Sequence, residues 1–322
     1  MQNREAAASL FLALVLLLGT PLSAKAGPLR DVIELHRAQR AETTTDAAAS
    51  AGPVAGVRLL RDRPYGEHPR QRFDIYQPDR PLQGAPILLM VHGGGWSRGD
   101  KAMSAVVDNK VARWVPQGVI LVSTNYRLQP DAAPVEQARD VARALAAVQK
   151  AAAGWGGDGS RVVLMGHSAG AHLVSLLAAA PELAEEVGAR PWLGTVALDS
   201  AGFDVETIML AKHARLYDTA FGKDRDYWRQ ASPLHRLRVA GVPLLAVCST
   251  QRPDKPCVQA QSFADKARGL GMVVEVQGQP LSHRDINQSL GLASAYTTAV
   301  ESFLGRLDPA FQRVLTAEPL RR

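Results

Sequence analysis

A single hydroxyl sits in the stretch Gly-His-Ser-Ala-Gly at residues 166–170. The apolar run Arg161–Met165 precedes it and a small, apolar run starting at Ala169 follows. The first run suits a buried strand and the second a helix. On a sharp strand-to-helix turn a central serine projects alone above the strand end. Its neighbours two positions away must be small, or their side chains would collide with the turn. Gly166 and Gly170 meet that requirement, which makes Ser168 a candidate nucleophile.

A serine hydroxyl is a weak nucleophile at neutral pH and needs a base. Of the eight histidines, His283 in Pro280-Leu281-Ser282-His283 alone follows the last expected strand, where a base belongs in this architecture. His167 flanks the serine turn, at the edge of a substrate pocket, and His172 lies one helical turn further on. Both suit packed or hydrogen-bonded structural roles. The base needs a carboxylate to fix its tautomer and stabilise the imidazolium. The chain order Ser, acid, His places that acid after the penultimate strand. Asp254 is the sole carboxylate in that segment, residues 249–257, and is the expected acid. Asp199 and Asp204, after the preceding strand, are the alternatives. Asp285 is too close to His283 and suits the cap of the final helix.

An attacked carbonyl develops an oxyanion, which needs donors already in place. Residues 92–96 read His-Gly-Gly-Gly-Trp, directly after the apolar run Ile87–Val91. The expected donors are the backbone N–H groups of Gly94, Gly95 and Ala169, each worth about 3 kcal/mol of barrier. A phosphate-binding loop would end in Lys-Ser/Thr, and this one does not. Trp96 is expected to wall the pocket and His92 to brace the loop.

These residues need a scaffold, and the pattern along the chain supplies one. Val57–Arg63 and Arg72–Gln77 are β-prone, and Pro64-Tyr65-Gly66 between them suggests an antiparallel hairpin. Strands are then expected at Ile87–Val91, Val119–Thr124, Arg161–Met165, Leu193–Leu198, Val242–Cys248 and Met272–Val276. Helices are expected at 101–116, Pro134–Lys150, Ala169–Ala180, 257–269 and 285–305, with one more near 29–41. Short apolar strands alternating with helices predict an α/β fold: a mainly parallel eight-stranded sheet covered by helices on both faces. Active sites in such sheets gather at the carboxyl ends of the strands. Residues 203–240 break the alternation with aromatic residues among charges, and predict a small cap insertion over the pocket.

The 322 residues, 46% hydrophobic and 21% charged, suit one globular domain, here residues 57–306. Residues 27–56 are expected to be a flexible leader and 307–322 a C-terminal tail. Residues 1–26 combine a basic start, the apolar run AAASLFLALVLLLG and the small-x-small site Ala24-Lys25-Ala26. That is the layout of a secretory signal peptide. The apolar run is short for an uncleaved anchor, so the expected product is exported, periplasmic or secreted, with no stable membrane span. Formal net charge is +6, but positive residues are scattered among acids. That pattern is a solvated surface rather than a nucleic-acid footprint. The two cysteines, Cys248 and Cys257, lie nine residues apart. In an oxidising compartment they are expected to form a disulfide worth roughly 3 kcal/mol. Two cysteines without nearby histidines make a poor zinc site.

Together, HGGGW at 92–96, GHSAGAHL at 166–173 and SH at 282–283 resemble the α/β-hydrolase superfamily. Within it they are similar to the HGGGW-containing carboxylesterases of the hormone-sensitive-lipase-like group. Arg72-Phe73-Asp74-Ile75-Tyr76, Asn125-Tyr126-Arg127-Leu128 and Gly156-Gly157-Asp158 fit the same likeness. The resemblance spans residues 57–306. It implies a serine carboxylesterase with no metal or cofactor, acting through Ser168, His283 and Asp254 on a small-molecule ester. The modest size of the cap at 203–240 predicts a short-chain or aromatic acyl group rather than a long lipid. GHSAGAHL also resembles arylformamidase-like hydrolases, which leaves an amidase open. A non-catalytic binding protein of the same fold is the remaining alternative, against which the intact serine and histidine speak.

Overall fold

A computed structural model describes residues 54–80, 82–200 and 202–316. The expected signal peptide, the helix near 29–41, most of the leader and residues 317–322 lie outside the described residues.

Strand β1 (Val57–Pro64) pairs antiparallel with β2 (Arg72–Pro78), forming the expected hairpin. β2 in turn pairs antiparallel with β4 (Ile120–Thr124). From there the sheet is parallel through β3 (Ala85–Val91), β5 (Gly157–His167), β6 (Gly194–Leu198), β7 (Leu244–Ser249) and β8 (Val274–Gln279). Eight strands lie in the order β1-β2-β4-β3-β5-β6-β7-β8. The reversal at β3 and β4 brings the loop after β3 beside the end of β5, where Ser168 emerges.

Alternation along the strands explains the layers. Ile87, Leu89 and Val91 of β3 point into one hydrophobic core, while Leu88 and Met90 point into a second on the opposite face. Both faces are apolar, so both must be covered. One face is covered by α2 (Pro134–Ala151), α3 (Ala169–Ala179) and α9 (Pro256–Gly269). The other is covered by α1 (Ser104–Trp114), α10 (His283–Gln288), α11 (Ala295–Leu307) and α12 (Pro309–Thr316). A one-turn helix α4 (Glu182–Glu185) joins α3 to the approach to β6. No helix among the described residues is long and apolar enough to cross a membrane.

Two expectations need correction. The single helix expected over 285–305 is two helices, α10 and α11. Between them Gly291 takes φ +108°, and a Cβ there would lie 2.3 Å from the carbonyl oxygen of Asn109. The chain bends where it passes that close to α1. The segment read as a tail from 307 also carries α12, whose Phe311 is fully buried in the second core.

The insertion at 203–240 folds into four short helices: α5 (Val205–Leu210), α6 (Arg215–Phe221), α7 (Arg225–Gln230) and α8 (Pro233–Arg236). Phe203, Tyr217, Phe221 and Trp228 are buried beneath them. Of the four helices, α6 reaches the pocket, with Leu216 and Tyr217.

Candidate active site

At the end of β5 the backbone folds so tightly that Ser168 takes φ +55° and ψ −117°. This region is costly for a residue with a side chain and persists where the surroundings enforce it. Here they do. A Cβ on Gly166 would lie 2.4 Å from the Gly170 carbonyl oxygen, and one on Gly170 would lie 2.3 Å from that of Val91. The Ser168 N–H donates to the Leu198 carbonyl on the neighbouring strand, at 3.0 Å. The hydroxyl is left facing outward, and its Oγ lies 3.0 Å from His283 Nε2.

His283 opens α10. Ser282 caps this helix, accepting from the Asp285 N–H at 3.1 Å while its hydroxyl donates to Asp285 Oδ2 at 2.6 Å. Asp285 therefore supports the helix start without being its cap. On the far side of the imidazole, Nδ1 lies 2.5 Å from Asp199 Oδ2.

Asp199 is thus the carboxylate that meets the ring, and the expectation of Asp254 is corrected. Asp199 directly follows β6, one strand earlier than expected, at φ +53° and with no solvent exposure. Its other oxygen accepts from the Ser249 N–H at 2.7 Å. Burial alone would raise its pKa. The Arg252 charge, the His283 contact and the Ser249 N–H outweigh burial and hold the carboxyl well below the usual carboxylate range. Asp254 is instead taken up by the guanidinium of Arg252, at 2.9 and 2.5 Å. Asp204, the other alternative, caps α5 by accepting from Thr207 N.

The His-Gly-Gly-Gly-Trp loop lies beside Ser168, with Gly93 packed so closely that a Cβ there would meet the serine Cβ at 3.0 Å. Gly94 (φ +115°) and Gly95 (φ +58°) line the pocket together with Ala169. Ala169 is the first residue of α3, so its N–H belongs to the helix end that has no intrahelical acceptor. His92 is fully buried and braces the loop as expected: its Nδ1–H donates to the Gly93 carbonyl at 2.7 Å, and its ring stacks on Tyr126 at 4.5 Å. Burial pushes its pKa down to about 4. Two supports carry no motif in the sequence. Gln137 Nε2 donates to the Trp96 carbonyl at 2.8 Å, and Arg70 Nη2 donates to the Gly99 carbonyl at 2.7 Å.

Trp96 lines the pocket but is only 4% exposed. Its Nε1–H donates to His172 Nδ1 at 3.1 Å, and its ring packs against Tyr217 and Phe221. His172 passes the contact on, donating from Nε2 to the Ala231 carbonyl at 2.7 Å, and burial lowers its pKa to about 4. A buried neutral histidine therefore ties the glycine loop to the insertion. His167 also lines the pocket. Its Nε2–H donates to the His283 carbonyl at 3.0 Å, and burial followed by the nearby His283 charge drives its pKa well below the ordinary value. Cys248 and Cys257 are joined in a disulfide. No group of three or more His, Cys, Asp or Glu side chains among the described residues could hold a metal ion.

The resulting cavity, about 280 Å³, opens over Ser168 and His283. Met103, Val106, Leu216 and Tyr217 give it apolar walls. A hydroxyl, an imidazole and a buried carboxylate in line beneath such a pocket can pass a proton away from the hydroxyl.

The BD-FAE family profile matches residues 73–266, more than half of the chain. The chain belongs to the BD-FAE family. BD-FAE is a family of α/β-hydrolase esterases, and the match runs from β2 through the nucleophile turn and Asp199 into α9. Among curated proteins, this BD-FAE chain is 29% identical to esterase LipQ of Mycobacterium tuberculosis over 260 residues, covering 76% of this chain and 61% of that protein. It is 27% identical to esterase LipC of the same organism over 220 residues, covering 64% and 54%. It is 30% identical over 170 residues to a probable isoprenylcysteine alpha-carbonyl methylesterase of Oryza sativa subsp. japonica, covering 51% and 40%. The chain spans about half the length of the curated relatives it matches. Among solved structures, esterase B from Lactobacillus rhamnosis superposes with a TM-score of 0.68 at 19% identity, covering 88% of this chain and 95% of that one. Esterase 2 from Thermogutta terrifontis superposes with a TM-score of 0.65 at 18% identity, covering 81% and 98%. These likenesses establish the α/β-hydrolase fold.

Proposed function

We propose that the protein is a carboxylic ester hydrolase working through an acyl-enzyme on Ser168. His283 Nε2 takes the hydroxyl proton as Oγ attacks the ester carbonyl. The Gly94, Gly95 and Ala169 N–H groups receive the oxyanion. The C–O bond then breaks, and the alcohol leaves with the proton from Nε2. Water attacks the acyl-enzyme, giving its proton to the same nitrogen, and the acid departs as Ser168 is restored. Asp199 holds the Nδ1–H tautomer throughout and stabilises the imidazolium.

The observation that carries this reading is the continuous relay beneath the pocket: Ser168 Oγ to His283 Nε2 at 3.0 Å and His283 Nδ1 to Asp199 Oδ2 at 2.5 Å. Membership of BD-FAE and the esterase names of the curated relatives support the same reaction class. The modest cavity with its Leu216 and Tyr217 wall favours small esters with short-chain or aromatic acyl groups over long lipids. The signal-peptide layout of residues 1–26, together with a disulfide, favours export to the periplasm or beyond.

The test is hydrolysis of p-nitrophenyl acetate by the wild type and by Ser168→Ala and His283→Ala. Each variant is expected to lose roughly 10⁴-fold or more in kcat. Wild-type turnover by Ser168→Ala would overturn the mechanism. A p-nitrophenyl ester series from acetate to palmitate is expected to show activity falling with chain length.

A further inference from the structure

The loop after β7, where the chain order Ser, acid, His predicts the acid, presents a guanidinium to the imidazole. We propose that Arg252, held in place by Asp254, is a positioning residue that extends the working range of the His283 base toward lower pH. It does so by keeping a permanent positive charge against the Asp199–His283 pair. This rests on the ester-hydrolase reading above.

The side chain of Arg252 is 9% exposed and shared between two carboxylates. Its Nη1 lies 3.1 Å from the Asp199 carbonyl oxygen, 2.9 Å from Asp199 Oδ2 and 2.9 Å from His283 Nδ1. Nη1 carries two hydrogens and has both Asp199 oxygens in reach, while the tautomer that leaves Nε2 free to take the serine proton puts a hydrogen on Nδ1. His283 Nδ1 therefore keeps its own hydrogen for Asp199 Oδ2 and faces the cation without accepting from it. A guanidinium does not deprotonate in a protein. Each time the ring takes the serine proton, a second positive charge forms beside the first, and both draw on one Asp199 oxygen. A like charge this near disfavours the protonated base. Asp254, a quarter exposed, offsets part of the Arg252 charge and fixes its plane through two hydrogen bonds.

The loop is built to hold this position. The Cys248–Cys257 disulfide closes it at its base. The Thr250 N–H donates to the Gln279 carbonyl at 2.9 Å, Gln251 Nε2 to the Pro280 carbonyl at 2.9 Å, and the Ser249 hydroxyl to the Leu281 carbonyl at 2.7 Å. The segment bearing Arg252 is thereby stitched to the segment bearing His283. Other charged or titratable groups surround the pair. His167 of β5 packs its ring 4.6 Å from that of His283. Tyr217 of α6 lies beside Arg252, and Tyr296 of α11 lies near Asp199. Lys110 of α1 reaches α10 through Asn287, and Arg284 is the next residue on that helix. Arg252 is a permanent cation within hydrogen-bonding distance of the ring.

The experiment is the pH profile of kcat/KM for p-nitrophenyl acetate with wild type, Arg252→Gln, Arg252→Lys and Asp254→Asn. Arg252→Gln is expected to move the acidic limb up by about one pH unit or more. Arg252→Lys should keep the limb near wild type while kcat falls, and Asp254→Asn should move it down. Reduced kcat in all three at an unmoved limb means Arg252 is merely structural and overturns the proposal, as does a downward shift for Arg252→Gln. If Arg252→Gln does not fold, Asp254→Asn decides: an unmoved or raised limb overturns the proposal. Loss of the ester-hydrolase reading itself is a separate result, wild-type turnover by Ser168→Ala.

Discussion

Asp199 Oδ2 and His283 Nδ1 meet at 2.5 Å across 84 residues of sequence, and each is anchored independently. The other Asp199 oxygen holds the Ser249 N–H, and His283 starts a capped helix. Asp199→Asn would present an amide where the ring needs an acceptor and would favour the wrong tautomer. We predict a fall in kcat of roughly 10³–10⁴-fold. Asp254→Asn is predicted to cost less than about tenfold, because that carboxylate acts only through Arg252. Steady-state kinetics on the two variants separates the assignments.

The order of strands and helices was legible because apolar runs of strand length alternate with longer amphipathic stretches. Ser168 and His283 were legible because a nucleophile turn demands small neighbours and a base must follow the last strand. Asp199 is less legible, because the chain order Ser, acid, His points to the loop after the penultimate strand, one strand later. What marks it out from Asp254 is a backbone at φ +53° and a contact with a histidine 84 residues away. Arg252 and Gln137 carried no signal, since an arginine in a loop or a glutamine in a helix has many ordinary uses. Gly291, which ends α10's run toward α11, was visible only as a helical glycine until its approach to Asn109 was known.

The turn at Ser168 predicts a steric test. A Cβ on Gly170 would meet the Val91 carbonyl oxygen at 2.3 Å and that of His92 at 2.5 Å. Both are backbone atoms beside the nucleophile, with little room to yield. Gly170→Ala is expected to cost about 2–3 kcal/mol of stability and to displace Ser168. Urea unfolding and ester turnover on the same preparation check both effects.

Lys110 is buried beneath α10, its amine donating to the Asn287 carbonyl and side-chain oxygen at 2.7 and 3.0 Å. Burial, opposed by Asp108, pushes its pKa down to about 7 from an ordinary 10.5. In that window the unfolded chain binds the proton and the folded one does not. Lys110 therefore lets stability rise from pH 7 toward 10.5 and imposes its cost below pH 7. Lys110→Met should lose this rise: its stability relative to wild type is expected to become less favourable as pH goes from 6 to 9.5. Denaturant midpoints across that range provide the measurement, and a constant difference would refute the assignment.

The disulfide spans the loop that carries Arg252 and Asp254. The double variant Cys248→Ser/Cys257→Ser is expected to lose about 3 kcal/mol of stability through loop entropy. Thermal melts with and without reductant check this: the wild type should fall toward the variant when reduced, and the variant should not respond.

Covalent capture tests the central claim most directly. A fluorophosphonate probe, incubated with the folded protein and followed by intact mass and peptide mapping, should add one phosphonyl group per chain, on Ser168. The His283→Ala variant should label far more slowly. An unmodified mass after prolonged incubation, or a single adduct on any other residue, would contradict the account.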